Sequence, residues 1–260
     1  MGRMLTLLYA VLSYAVFFVT FLYAVCFVGG FGPAPTALDG AATGPVGTAV
    51  LVDLALLGLF GLQHSIMARP GFKKRWTRIV PKPAERSTYV LLASLILLAT
   101  FTWWQPIGGT VWDLQNGTAR TVVWALFAAG WAIVFLGTWM IDHWSLFGLR
   151  QAWTRFRGRE FRHPEFQTRG FYRFVRHPLM LGFIIAFWAT PTMTMGHLLF
   201  AGVSTAYILV ALQFEERDLM TYHPETYSEY KRTTPGLIPG LRGSGSGSGR
   251  PAGGIDTELG

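Results

Sequence analysis

His64 stands in the run Gly61-Leu62-Gln63-His64-Ser65, within a stretch, 46–68, whose one formal charge is Asp53. An imidazole in so apolar a setting has two uses. It bonds to a neighbouring helix as a neutral group, or it takes and orients a proton at the mouth of a cavity, because it titrates near working pH. A second polar knot, Asp142-His143, leaves the apolar stretch 121–141 shortly before Arg150 and Gln151. Asp142 suits a helix boundary and His143 the negative end of a helix dipole; beside Arg150 they also make a polar site. The third cluster is Gly170-Phe171-Tyr172-Arg173-Phe174-Val175-Arg176-His177-Pro178. Pro178 is placed as the first residue of a helix. That sets Arg176 and His177 at a positively polarised helix start, suited to a carboxylate; the plainer use is a basic flank that snorkels to lipid headgroups. The fourth is Glu215-Glu216, a pair able to bind a ribose diol or an ammonium group, or to be solvated and ion-paired.

The elements that position these groups must be mostly apolar. Of 260 residues, 51% are hydrophobic and 14% charged, with 20 Phe and 10 Trp; soluble domains carry about 25% charged residues. A water-soluble fold and a disordered chain are both excluded. The lone cysteine, Cys26, excludes an internal disulfide and a Cys-based zinc site, and no metal is expected. A membrane-spanning helix takes about 20 apolar residues, and 4–28, 46–68, 88–104 and 121–141 qualify. The run 178–214 is too long for one crossing and is interrupted by Pro191 and Gly196. It reads as two helices, 179–190 and 197–214, the first only about 18 Å long at 1.5 Å per residue and partly shielded by its neighbours. Asp53, further from the basic loops, is assigned a helix–helix hydrogen bond. The expected fold is an all-α integral membrane protein: four transmembrane helices plus a C-terminal helical hairpin, one domain over 1–242. The Gly/Ser-rich tail 243–260 is expected to be flexible.

Charge sets the orientation. The 22 Lys and Arg exceed the 14 Asp and Glu by 8. The segment 69–87 holds seven Lys/Arg, 142–177 eight Arg, and 215 onward five Lys/Arg, whereas 29–45 and 190–197 hold none. Lys/Arg-rich loops stay cytoplasmic, so both termini and both basic loops face inside across an even number of crossings. The excess charge then reflects topology and attraction to anionic membrane lipids, and a nucleic-acid partner loses its support. Hairpin geometry carries Arg176–Pro178 and Glu215-Glu216 to the side that holds His64 and Asp142.

The order Gly-x-Tyr-x-x-x-Arg-His-Pro, apolar hairpin, Glu-Glu, then Tyr227-Ser228-Glu229-Tyr230-Lys231 and a Pro-containing end resembles the C-terminal half of the isoprenylcysteine carboxyl methyltransferase and phospholipid methyltransferase superfamily over about 163–239. Gln63-His64-Ser65 through Lys73, Glu85-Arg86-Ser87-Thr88-Tyr89, Trp103-Trp104-Gln105-Pro106 and Ile141–Gln151 are similar to its NnrU-like branch, extending the likeness to about 1–240. The resemblance implies a cofactor, S-adenosyl-L-methionine, held by cytoplasmic loops and contacted by Tyr172, Arg176, His177, Pro178 and Glu215 or Glu216. It implies a small volatile thiol, methanethiol, as acceptor, with dimethyl sulfide as product, in a bacterial inner membrane. Met180 stands where the superfamily often has tyrosine, so one hydroxyl contact is missing. A thiol must become thiolate to attack. His64 is the first candidate to take its proton, Asp142 and His143 are the next, and Arg86 is assigned to the thiolate or to the cofactor's carboxylate. The competing expectations are a related methyltransferase for a lipid amine, another thiol or a prenylcysteine carboxylate, a sterol-type reductase using NADPH, and a haem protein with histidine ligands.

Overall fold

The computed structural model describes residues 2–32, 36–42, 44–162, 168–222 and 224–238; the tail at 243–260 and the domain boundary at 242 lie outside them. The described chain is helical almost throughout: α1 (Arg3–Gly29), α2 (Val46–Ala68), α3 (Pro70–Trp76) and α4 (Lys82–Trp103) are followed by a strand, β1 (Thr110–Asp113). Then come α5 (Gly117–Ile141), α6 (His143–Leu146), α7 (Leu149–Phe156), a 3-10 turn at Gly170–Arg173, and α8 (Pro178–Trp188). A second strand, β2 (Thr192–Thr194), leads into α9 (Met195–Tyr222) and α10 (Pro224–Thr233). Five of these helices, α1, α2, α4, α5 and α9, are long and apolar enough to cross a membrane, and α8 is a shorter apolar helix.

Local chemistry sets the boundaries. Gly30, at φ 65°, closes α1 by returning its N–H to the Cys26 carbonyl, a conformation glycine adopts without penalty. Arg69 is extended ahead of Pro70, as a residue before proline prefers, so the chain turns from α2 into α3. Asn116 caps α5 by accepting from the Ala119 amide at 3.0 Å. Two expectations need amendment. Helix α9 does not stop at 214 but continues to Tyr222, so Glu215 and Glu216 lie within the helix. Glu, Arg, Leu and Met are good helix formers, and this stretch carries them on past the apolar portion. The hairpin turn is also not wholly irregular: β2 pairs antiparallel with β1, Trp112 opposite Met193 and Asp113 opposite Thr192.

The short α8 packs most extensively on α5, more than on its hairpin partner α9. Gly130 and Gly182 explain this, because a Cβ on Gly130 would lie 2.7 Å from the Ala186 nitrogen and one on Gly182 would lie 2.8 Å from the Gly130 carbonyl oxygen. The two backbones therefore touch, as small residues allow in membranes. Gly182→Val is expected to destabilise by about 3 kcal/mol through overpacking, read by thermal denaturation in detergent. Gly58→Ala, where nothing lies within 4 Å, is the neutral control.

At the end of the bundle opposite the basic loops, Phe27, Phe101, Trp104, Phe127, Trp131 and Phe200 form a buried aromatic core. Above it, buried His197 bridges α9 to the α1–α2 connection, with Nδ1 2.8 Å from Asp39 and Nε2 2.9 Å from the Phe187 carbonyl. Both ring nitrogens thus lie within hydrogen-bond reach of an oxygen, tying α9 to the α1–α2 connection and to α8. Thr194 donates to the other Asp39 oxygen at 2.6 Å. Asp53 is also buried, and Oδ1 accepts from the Gln105 amide at 2.9 Å, fastening α2 to the end of α4.

Candidate active site

One continuous cavity of about 1780 Å³ opens at the basic end of the bundle and is walled by α1, α2, α4, α5, α8 and α9. It brings together His64, Arg86, Asp142, His143, Tyr172, Arg176, His177 and Glu215, drawn from stretches as far apart as 64 and 215. Of the residues singled out in the sequence, Pro178 and Glu216 stay off its wall. Pro178 is buried at the first turn of α8, where its fixed φ starts the helix without an orphaned N–H.

The two glutamates divide their work. Glu216 is anchored: Arg176 reaches it at 2.7 Å, Lys231 at 2.8 Å and His177 Nε2 at 3.1 Å. Glu215 lines the cavity with half of its side-chain surface accessible, 3.9 Å from His177 Nδ1. Arg176 is a clamp: besides Glu216 its guanidinium donates to the carbonyls of Lys231, 3.2 Å, and Thr234, 2.5 Å. Its own amide and that of His177 bond to the Pro235 and Gly236 carbonyls at 2.8 and 3.2 Å. The start of α8, the end of α9 and the chain after α10 are thereby tied together. Tyr172, on the 3-10 turn, has its carbonyl held by the Tyr230 hydroxyl at 2.5 Å. Burial, then the nearby Glu215 carboxylate and Tyr230, keep the Tyr172 phenol protonated well above its ordinary range.

His64 faces across to α4, where the Tyr89 hydroxyl lies 2.8 Å from Nε2 and 3.0 Å from Nδ1. The Arg86 guanidinium sits over the Tyr89 ring, 4.9 Å from its centre, and Nε donates to the Leu146 carbonyl at 2.7 Å. Tyr89 was not singled out in the sequence. Its three-residue spacing from Arg86, which puts both on one helical face, was the available signal. Lys73 also lines this mouth; burial and the neighbouring Arg86 hold its ammonium below the usual lysine value, with Glu85 and Asp218 opposing.

Asp142 and His143 line the cavity with their bonding already committed. Asp142 has φ 154°, rare for an L-residue, and is held there by the Ser145 amide at 3.2 Å, the Ser145 hydroxyl at 2.8 Å, and Arg150. Burial raises its carboxyl, but those partners outweigh burial and hold it below the ordinary range. His143 is buried between Tyr14, 2.8 Å from Nε2, and Thr138, 2.8 Å from Nδ1, and stacks on Trp139 at 4.5 Å. Because the Thr138 hydroxyl donates to the Phe135 carbonyl at 2.6 Å, it accepts from Nδ1–H, leaving Nε2 to accept from Tyr14. That pattern is neutral imidazole, and burial lowers its pKa despite Asp142. The sign follows: His143 contributes fully above its unfolded value of about 6.5, and the contribution fades as pH falls from there toward the lowered folded value. The fall in melting temperature between pH 6.5 and 5 is expected to be shallower in His143→Gln than in the native protein.

An all-α bundle with five helices of membrane-spanning length, and charged and phenolic groups around one end of an apolar cavity, defines an integral multi-pass membrane protein. The chain belongs to the methanethiol S-methyltransferase family. A methanethiol S-methyltransferase of Mycobacterium tuberculosis is 52% identical over 239 residues, spanning 92% of this chain and 98% of that protein. Methanethiol S-methyltransferase 2 of Bradyrhizobium diazoefficiens is 53% identical over 240 residues, 92% of each chain. Nurim of Rattus norvegicus is a more distant relative, 29% identical over 177 residues, 64% of this chain and 66% of its own length. No family model matches the chain. No solved structure matches it.

Proposed function

We propose that this chain transfers a methyl group from S-adenosyl-L-methionine to methanethiol, giving dimethyl sulfide. The reaction takes place at the cytoplasmic side of a bacterial inner membrane, with both termini inside and residues 1–242 acting as one domain. The observation that carries this reading is the single cavity that joins Tyr172, His177 and Glu215 to His64 and Arg86 above an apolar interior; the names of the relatives supply the acceptor.

The donor set fits the cofactor. Glu215 offers an accessible carboxylate to a ribose diol or the amino group. Arg86 and Lys73, two cations that disfavour each other at the mouth, suit its carboxylate. Gln151 lines the cavity, and its buried Oε1 has no hydrogen-bond partner among the described residues, leaving an acceptor for an amine. Arg176, His177 and Pro178 act by shaping the wall: the clamp on Glu216 leaves Glu215 turned to the ligand. Bound S-adenosyl-L-methionine supplies an electrophilic sulfonium methyl. His64 takes the thiol proton: the Tyr89 hydroxyl, donating toward the His64 carbonyl at 3.5 Å, accepts from one ring N–H, and the other nitrogen is left to accept. Arg86 stands close enough to favour the thiolate. Asp142 and His143 hold the α5–α6 corner and keep Tyr14 in place, so their part is positioning. The apolar interior holds the thiol and keeps water out.

The test is purified protein with labelled S-adenosyl-L-methionine and methanethiol, volatile products being read by gas chromatography; absence of labelled dimethyl sulfide overturns the reading. Glu215→Gln is expected to weaken cofactor binding at least tenfold, the loss of a charged hydrogen bond of about 1.5–3 kcal/mol, measured by titration calorimetry. Unaltered affinity would remove Glu215 from the cofactor site.

A further inference from the structure

The cavity is longer and larger than methanethiol needs. On α4 its wall residues recur at Arg86, Tyr89, Ala93, Leu97 and Phe101, one helical face sustained over fifteen residues, about 22 Å at 1.5 Å per residue. On the antiparallel α9 the wall runs over the same fifteen residues from Glu215 down to Phe200. The floor is closed by Phe101 and Phe200 with Trp131, all buried. From Tyr89 to that floor is about 18 Å of largely aliphatic and aromatic wall, with the hydroxyl residues Ser94 and Ser204 among its lining. The volume agrees: pockets for drug-sized ligands run to about 1,000 Å³, so the 1780 Å³ present exceeds one such ligand by several hundred.

We infer that this shaft admits the hydrocarbon chain of larger alkyl thiols, so that the chain methylates hydrophobic thiols of several to about ten carbons as well as methanethiol, the sulfur standing at the His64–Tyr89 level and the alkyl chain lying toward Phe101 and Phe200. The inference rests on the proposed thiol methyl transfer. In each turnover the acceptor sulfur forms a bond to the methyl carbon and the sulfonium–methyl bond breaks. The thiol proton goes to His64, and the products are an alkyl methyl thioether and S-adenosylhomocysteine. A hydrocarbon chain suits the shaft because apolar side chains of α1, α4 and α9, among them Phe21, Leu97 and Ile208, line it between the mouth and the floor. Each methylene taken from water into it is worth about 0.8 kcal/mol, or about fourfold in binding. Such binding is shared by ground and transition states, so it lowers KM and leaves kcat little changed.

The experiment compares methanethiol, butanethiol, octanethiol and decanethiol as acceptors for the purified full chain, with Leu97→Trp and Ala93→Leu as independent plugs of the shaft. The expected result is a KM that falls about fourfold per carbon over the first members and levels off when the chain meets the floor. Each plug should raise the ratio of the octanethiol KM to the methanethiol KM tenfold or more. A readout apart from turnover is thermal stabilisation of the protein by decyl methyl sulfide but not by dimethyl sulfide, lost in either plugged variant. Methanethiol methylated with a KM that stays flat across the series, or long thiols unaffected by a plug that folds, overturns the shaft as an acceptor site and leaves the methyltransferase reading standing. No transfer to any thiol, methanethiol included, overturns that reading and this inference with it.

Discussion

His64→Ala is expected to lower kcat for methyl transfer by about 10²–10⁴-fold, the usual worth of a positioned general base, while cofactor affinity changes little. The reason is placement. His64 is the histidine on the cavity wall whose ring meets a single side-chain partner, the Tyr89 hydroxyl, 2.8 Å from Nε2 and 3.0 Å from Nδ1. His143 has both nitrogens committed to Tyr14 and Thr138, and His177 is tied to Glu216. Tyr89→Phe keeps the ring under Arg86 but removes the hydroxyl, so a loss of about tenfold is expected, within the worth of one hydrogen bond. Initial rates across pH 6–9 check this. The alanine variant should be slower than the native protein by the larger of these factors at every pH in the range. Unchanged kinetics in His64→Ala would take proton transfer away from this residue.

The second large effect is structural. Arg176→Ala is expected to cost about 3–5 kcal/mol of stability, because removing one partner of a mostly buried pair leaves the other uncompensated. The side chains of Arg176 and Glu216 are only 12% and 17% accessible, too little for solvent to make good the loss. The same guanidinium also holds the Lys231 and Thr234 carbonyls. Arg176→Lys should recover little, since one ammonium cannot serve acceptors that a planar fork spans. Thermal denaturation and protease sensitivity of the ligand-free protein provide the measurement. If the ligand-free melting temperature is unaltered while cofactor affinity falls, Arg176 is a ligand contact and the clamp is wrong.

Much of this molecule was legible before its structure. The stretch 46–68 coincides with α2, and 4–28 and 121–141 lie within one residue of α1 and four of α5 at their starts, since uninterrupted apolar runs leave a chain in a bilayer little choice but helix. The break near Pro191 was legible too. The extension of α9 to Tyr222 was not, because charged residues end a hydropathy signal without ending a helix. The β1–β2 pairing was hidden for another reason: Thr110 and Thr194 are eighty-four residues apart, and three- and four-residue strands carry no period of their own.

For the site, residue types, the side of the membrane and the family resemblance together nominated ten residues; His64, Arg86, Asp142, His143, Tyr172, Arg176, His177 and Glu215 line one cavity, and Pro178 and Glu216 do not. What sequence could not assign was the division of labour among them. Glu215 and Glu216 are chemically identical neighbours, yet about 100° of helical rotation turns one toward the cavity and the other into the grip of Arg176, His177 and Lys231. Likewise His64 and His143 differ only in what surrounds them. Composition and charge placement dictate a membrane bundle with its polar groups gathered at one end, because hydrocarbon tolerates nothing else. Which of those groups is left facing a ligand depends on partners arriving from distant helices, and that is decided only when the chain has packed.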